Sequence, residues 1–291
     1  MSPETVENRY DPLARVCALV AVTALMACSA PSAAPSAPST ERGAFPNGEI
    51  SLSYRLDRPG GVAPFPAVVI GHGSGMTTQN DAQMLADGFL SRGYAVLRYD
   101  KRGVGQSTGT YSGVGVRNSE RMFADLSSDM AAALEFLRKQ RDIIRDRVGL
   151  MGSSQAGWIM PLAAGRAHAA FMIAISGPTV SVGEEIYFSD FAEGKGPIED
   201  AYEKLARFTG PRGFDPVPVL ETLNVPSLWL LGQADDSIPE RNTVAILKGL
   251  IARGRPFAFI EYPNANHGLV NVATGRFSPI FQDIDNWFAR R

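Results

Sequence analysis

Val148-Gly149-Leu150-Met151-Gly152-Ser153-Ser154-Gln155-Ala156-Gly157-Trp158 is the stretch whose reading decides how the rest of this 291-residue chain is understood. An apolar run that stops at Gly-x-Ser, with small residues on both sides, suits a strand entering a helix through a tight turn. Such a turn holds a hydroxyl up in a strained backbone conformation. Ser154 is therefore a candidate nucleophile. The same residues would also serve an ordinary strand end with Gly152 at positive φ, and Ala156 stands where the familiar pattern has a second glycine. The other segments decide between the two.

Outward from this turn, strands and helices alternate. Glu49 to Arg58 places Ile50, Leu52, Tyr54 and Leu56 on one side, the period of a half-buried strand. Residues 66–70, 94–100, 169–176, 227–231 and 257–262 are apolar blocks, as expected of strands covered on both faces. Helical spacing of apolar residues covers 81–92, 119–140, 155–166, 239–253 and 278–290. Residues 179–224 break the rhythm with Tyr187, Phe188, Phe191, Tyr202 and Phe208, and read as an insertion of short helices. Its aromatics could line an acyl pocket, although irregular spacing suits local packing. The pattern implies an α/β fold with a mostly parallel central sheet and helices on both faces. Ligands in such sheets bind at the carboxyl ends of the strands.

A serine hydroxyl needs an imidazole to accept its proton and a carboxylate to orient that imidazole. The chain has three histidines. His168 lies at the far end of the helix that begins at the serine, about 20 Å away at 1.5 Å per residue. His72 sits in the glycine-rich turn Gly71-His72-Gly73-Ser74-Gly75 and is better suited to shaping the site. His267 follows the last strand and is left as the base. The carboxylate is expected after the preceding strand, where Gly232-Gln233-Ala234-Asp235-Asp236-Ser237-Ile238-Pro239 offers Asp235 and Asp236.

The order Ser, Asp, His with these spacings resembles the α/β-hydrolase superfamily, over about residues 49–291. The resemblance selects Asp235, three residues after the glycine of the Gly-x-x-Asp-x-x-x-Pro stretch. It also implies oxyanion donors at the backbone N–H groups of Gln155 and, in the His-Gly-x loop, Ser74. Asp100-Lys101-Arg102-Gly103-Val104-Gly105-Gln106-Ser107 matches the family's Asp-x-Arg-Gly-x-Gly-x-Ser loop, where Asp100 and Arg102 are expected to brace the site. The insertion at 179–224 is where these enzymes carry a cap.

Ahead of the globular part, Val16 to Met26 is an uncharged apolar run preceded by Arg9 and Arg15, short for a membrane span and suited to a secretion signal. It ends in Leu25-Met26-Ala27-Cys28, which resembles a bacterial lipobox with Cys28 as the lipidated residue. Residues 1–28 are thus expected to be a signal peptide, and 29–48, rich in Ala, Ser and Pro, an extended tether. The implied location is the bacterial cell envelope, as a periplasm-facing lipoprotein of the outer membrane, or a secreted protein. A membrane is expected as a partner only through that anchor.

A net charge of −2 gives no electrostatic footprint for nucleic acid. The two cysteines, Cys17 and Cys28, precede the globular part, and the histidines lack ligand spacing, so no metal and no cofactor are expected. The resemblance implies a serine hydrolase, first of all a carboxylesterase acting on small-molecule esters. Within the superfamily it is nearest to small bacterial esterases and serine aminopeptidase-like hydrolases. A proline-iminopeptidase type of enzyme is the alternative, kept open by Glu184, Glu185, Asp190 and Glu193 in the cap. A non-catalytic envelope lipoprotein using the fold for binding is the third reading. Relatives with an Asp or Cys nucleophile are argued against by Ser154 and by the absence of thiols beyond residue 28.

Overall fold

The computed structural model describes residues 36–291. The signal segment, Cys28 and most of the tether lie outside the described residues. One part of the tether expectation is corrected. Ser39–Asn47 form strand β1, paired antiparallel with β2, Ile50–Arg58. Six of its first seven residues are exposed, so it carries little of the alternation that marks a half-buried strand.

The remaining strands are β3 (Phe65–Gly71), β4 (Ala95–Tyr99), β5 (Ile143–Ser153), β6 (Met172–Ile175), β7 (Ser227–Gly232) and β8 (Phe257–Tyr262). The helices are α1 (Gln83–Leu90), α2 (Ser119–Arg138), α3 (Ala156–Arg166), α4 (Val182–Ala192), α5 (Ile198–Leu205), α6 (Val217–Thr222), α7 (Glu240–Ala252) and α8 (Ile280–Ala289). The eight strands make one sheet in the order β1-β2-β4-β3-β5-β6-β7-β8. β2 meets β4 antiparallel, and every pair from β4 to β8 is parallel.

Why the central strands are apolar at every position follows from their two faces. In β6, Met172 and Ala174 join one core while Ile173 and Ile175 join the other, and in β7 Trp229 and Leu231 oppose Leu228 and Leu230. The first core is closed by α2, α3 and α7 through Phe123, Ile159 and Leu247. The second is closed by α1 and α8 through Phe89 and Ile284. With both faces covered, no polar residue can alternate.

The insertion is helical, comprising α4, α5 and α6. Its aromatics pack on one another: Tyr187 lies against Phe191 and Phe208, and Phe188 lies against Tyr202. They form a satellite core with Ala192, Ala201 and Leu205.

Candidate active site

The turn at the end of β5 places the positive φ of the opening stretch. The left-handed residue is Ser154, with φ of 54°, and Gly152 is not among the positive-φ positions. A non-glycine residue in that region is strained and is held there by its surroundings. The Ser154 N–H donates to the Ile175 carbonyl at 2.9 Å, and its own carbonyl accepts from the Gly157 N–H at 2.8 Å, the first turn of α3. Gly152 is needed for close approach, because a Cβ there would lie 2.5 Å from the Ala156 Cβ. The Ala156 methyl, fully buried, occupies the space that Gly152 leaves open, which is why alanine serves at this position.

His267 follows β8 and faces the loop after β7. Its Nδ1 lies 2.9 Å from Asp235 Oδ2 and 3.1 Å from Oδ1. Asp235 is 1% exposed, and its Oδ1 also accepts the N–H groups of Ser237 and Ile238 at 2.9 Å each. Asp236, the other acid of the loop, is exposed. Burial disfavours the imidazolium of His267, but the hydrogen bond and charge of Asp235, helped by Glu185 and Asp236, outweigh it and raise the pKa above the usual histidine value. The Nδ1–H is thereby committed to Asp235 and Nε2 is left to exchange a proton. Among the described residues Ser154 Oγ has no hydrogen-bond partner, so the structure brings His267 to Asp235 but does not draw the Ser154–His267 bond. Such bonds commonly tighten only when substrate is bound.

Two consecutive residues at the end of β6 nevertheless fix both partners. While Ile175 accepts the Ser154 N–H, the Ser176 hydroxyl donates to the His267 carbonyl at 2.8 Å. Ser176 is fully buried and has φ of 44°.

The candidate oxyanion loop passes close to the serine. A Cβ on Gly73 would stand 3.9 Å from the Ser154 Cβ. The N–H groups of Ser74 and Gln155 donate to no protein group among the described residues, and Gln155 is the N-cap of α3, where an orphan donor is expected. Lys101 holds these two pieces together. Its Nζ, on a residue with 0% exposure, donates to the carbonyls of Gly73 at 2.8 Å and Gly75 at 2.7 Å, on either side of Ser74. The same Nζ lies 3.5 Å from Gln155 Oε1. Burial lowers its pKa to about 7. Sequence reading passed over Lys101 and Ser176, because each acts through partners distant in the chain.

The neighbouring loop braces as expected. Asp100 accepts from the Gln79 N–H at 2.7 Å and the Gln106 N–H at 2.8 Å, while Arg102 Nε donates to the buried carboxylate of Asp129 at 2.6 Å. His72 Nε2 lies 2.7 Å from the Tyr99 carbonyl and is pushed down to about 4 by burial, aided by the Lys101 charge, so it stays neutral and anchors the loop. His168 is exposed at the end of α3. In the cap, Glu184 closes a capping box with Ser181 and pairs with Arg212, whereas the Glu185 carboxyl forms no ion pair or hydrogen bond among the described residues. Burial, with Glu193, Asp235 and Asp190 adding to it, raises Glu185 to about 8 against the opposing influence of His267. Among the described residues no group of three or more His, Cys, Asp or Glu could hold a metal ion.

These features match known proteins. Esterase EstD of Thermotoga maritima is 24% identical over 259 residues, covering 79% of this chain and 60% of that protein. Acylamino-acid-releasing enzyme 1 of rice (Oryza sativa subsp. japonica) is 24% identical over 243 residues, covering 77% of this chain. This chain therefore spans 60% and 30% of the length of these two relatives. Among solved structures, an esterase of Pyrococcus furiosus superposes with a TM-score of 0.65 at 16% identity, covering 87% of this chain and 91% of that one, a likeness of fold. The α/β-hydrolase architecture read from the motifs is thus the observed one. The model of the prolyl oligopeptidase family matches residues 77–291, a range that includes Ser154, Asp235 and His267. This chain belongs to the prolyl oligopeptidase family.

Proposed function

We propose that this chain is a serine hydrolase, a carboxylesterase that cleaves small to medium esters through an acyl-enzyme on Ser154. The observation that carries the reading is the buried Asp235 carboxylate on His267 Nδ1, beside a serine held at φ of 54°. Ser154 Oγ attacks the ester carbonyl carbon as its proton passes to His267 Nε2. The carbonyl oxygen becomes an oxyanion and accepts the N–H groups of Ser74 and Gln155. The C–O bond to the alcohol then breaks as His267 protonates the departing oxygen. A water attacks the acyl carbon, giving its proton to His267; His267 returns that proton to Ser154 as the carboxylic acid leaves.

The test is labelling of the purified protein by a fluorophosphonate, followed by hydrolysis of p-nitrophenyl esters beside aminoacyl arylamides. Labelling and ester turnover that vanish in Ser154→Ala are expected. A protein that does not label would leave only the reading of a binding module.

A second reading, an aminopeptidase of the proline-iminopeptidase type, is favoured by one observation. Glu185 is an unpaired carboxyl on α4, close enough to His267 for the two charges to influence each other. A substrate ammonium would ionise it, and Glu185→Gln would then abolish arylamide turnover while sparing esters. The sequence around Cys28 supports an envelope location through a lipid anchor. Metabolic labelling with a palmitate analogue, lost in Cys28→Ala, is the expected result.

A further inference from the structure

A cavity of about 380 Å³ opens beside the site on the face of the sheet covered by α1. Its wall includes Gly73 of the oxyanion loop, Ser153, His267 and the buried Leu85, with Met84 and Phe277 towards the outside. Gly73 belongs to the oxyanion loop and His267 is the base, so the cavity adjoins both, while Ser154 itself is not among its lining residues. None of its lining residues comes from the cap at 179–224. Met84 is 51% and Phe277 40% exposed, an uncommon position for two large apolar side chains flanking one opening.

The polar groups in this wall are largely occupied by the protein itself. Arg98 Nη2 donates to Asp57 at 2.8 Å and its Nη1 to Gln83 Oε1 at 2.9 Å, while Asp81 Oδ2 accepts from the Thr78 N–H at 2.6 Å. His72 is committed to the Tyr99 carbonyl and is neutral. Thr77 Oγ1 and Arg98 Nε remain without a protein partner and can donate, and the exposed Asp81 carboxylate keeps its Oδ1 without one. With Met84, Leu85 and Phe277 beside His267, the wall suits a mainly apolar group.

The chemistry says which half of the substrate this is. His267 must protonate the departing oxygen, so the departing group lies on the His267 side of the tetrahedral carbon. We propose that the cavity bounded by Met84, Leu85, Phe277 and His267 is the subsite for the leaving alcohol, and that it selects esters of aryl or alkyl alcohols. This rests on the serine-esterase reading above.

Binding of the free alcohol tests the cavity without catalysis. 2-Naphthol, titrated by fluorescence into the Ser154→Ala protein, is expected to bind, and Met84→Trp, which fills the mouth from an exposed position, should weaken it. The kinetic arm compares methyl acetate with 2-naphthyl acetate, and p-nitrophenyl acetate with p-nitrophenyl hexanoate. Met84→Trp is expected to lower kcat/KM for the naphthyl ester relative to the methyl ester by about 10-fold or more, the scale of discrimination in an apolar pocket. The preference between the two p-nitrophenyl esters should hold. Met84→Ala should shift the naphthyl-to-methyl ratio the opposite way. Absent or unaltered naphthol binding, or a change that follows acyl length instead, would overturn the assignment. A wild-type protein that fails to label with fluorophosphonate would sink the esterase reading separately, leaving naphthol binding to decide the cavity.

Discussion

The hydroxyl of Ser176 donates a 2.8 Å hydrogen bond to the backbone carbonyl of His267 from a fully buried, left-handed position at the end of β6. Because the preceding residue, Ile175, accepts the Ser154 N–H, one short piece of backbone registers His267 against Ser154. Ser176→Ala leaves both side chains in place but frees the His267 loop. A misplacement of about 1 Å costs on the order of 10² in rate, so kcat should fall by roughly ten- to a hundredfold with little change in KM. Steady-state kinetics check this, and an equal rise in KM would assign Ser176 to binding instead.

Asp235 and Asp236 are adjacent in sequence and opposite in environment. Asp235→Asn should cost about 10⁴ in kcat, as expected when the imidazole tautomer is no longer enforced. Asp236→Asn, at an exposed position, should stay within a few-fold of wild type. The reverse ranking in an ester assay would move the acid to Asp236.

The pH profile follows from His267. Burial opposes the imidazolium, but Asp235 and its acidic neighbours win and raise the pKa, and the base works only when neutral. Activity should therefore rise with pH through a midpoint above that of an ordinary histidine. Removing the Asp235 charge should shift that midpoint downward in whatever activity remains. A limb at or below the ordinary value would contradict the electrostatics described for the site.

Lys101 is a positioning residue for the oxyanion loop. Its pKa of about 7 does not undo the clamp on deprotonation, because a neutral amine still carries two N–H donors for the two carbonyls. Lys101→Met removes them and should lower kcat towards the ~10²-fold loss seen when one oxyanion donor is removed. Lys101→Arg should not restore it, since a planar guanidinium does not fit a site built for a compact ammonium. Ester kinetics measured beside thermal unfolding separate this from loss of fold.

Arg102 and Asp129 form a buried ion pair that ties the loop after β4 to α2. Asp129→Ala leaves the guanidinium without its main partner and should destabilise the fold by about 3–5 kcal/mol, read from the urea midpoint. A shift under about 1 kcal/mol would show that the pair is as weak as a surface salt bridge.

Much of this arrangement could be read from the sequence, for a definite reason. Strand positions buried on both faces are largely apolar, so β3, β6 and β7 stand out as blocks while β4 carries the buried Arg98 and β5 carries Arg145-Asp146-Arg147 near its start, and parallel strands joined by helices put their loops at one edge. Ser154, His267 and the His72 to Gly75 turn all lie on those loops. β1 did not stand out, because only Phe45 of its residues is buried and the strand shows no apolar alternation. The aromatics of 179–224 could be located but not assigned, since an irregular run reads alike whether it lines a pocket or packs on itself. Their contacts show the latter.

By itself the sequence determined the order of the strands from β2 to β8 and of the helices between them, the residue types that end them, and the restriction of a candidate base to one of three histidines. These depend on the period of burial and on local turn chemistry. Tertiary structure alone decided that Ser154, and not Gly152, carries the positive φ, and it buries Asp235, already preferred over Asp236 in the sequence, against His267. It also decided that Lys101 and Ser176 support the site. Lys101 reaches carbonyls 28 and 26 residues away and Ser176 one 91 residues away, distances over which no local pattern carries information. Those bonds exist only once the sheet has brought its carboxyl edge together.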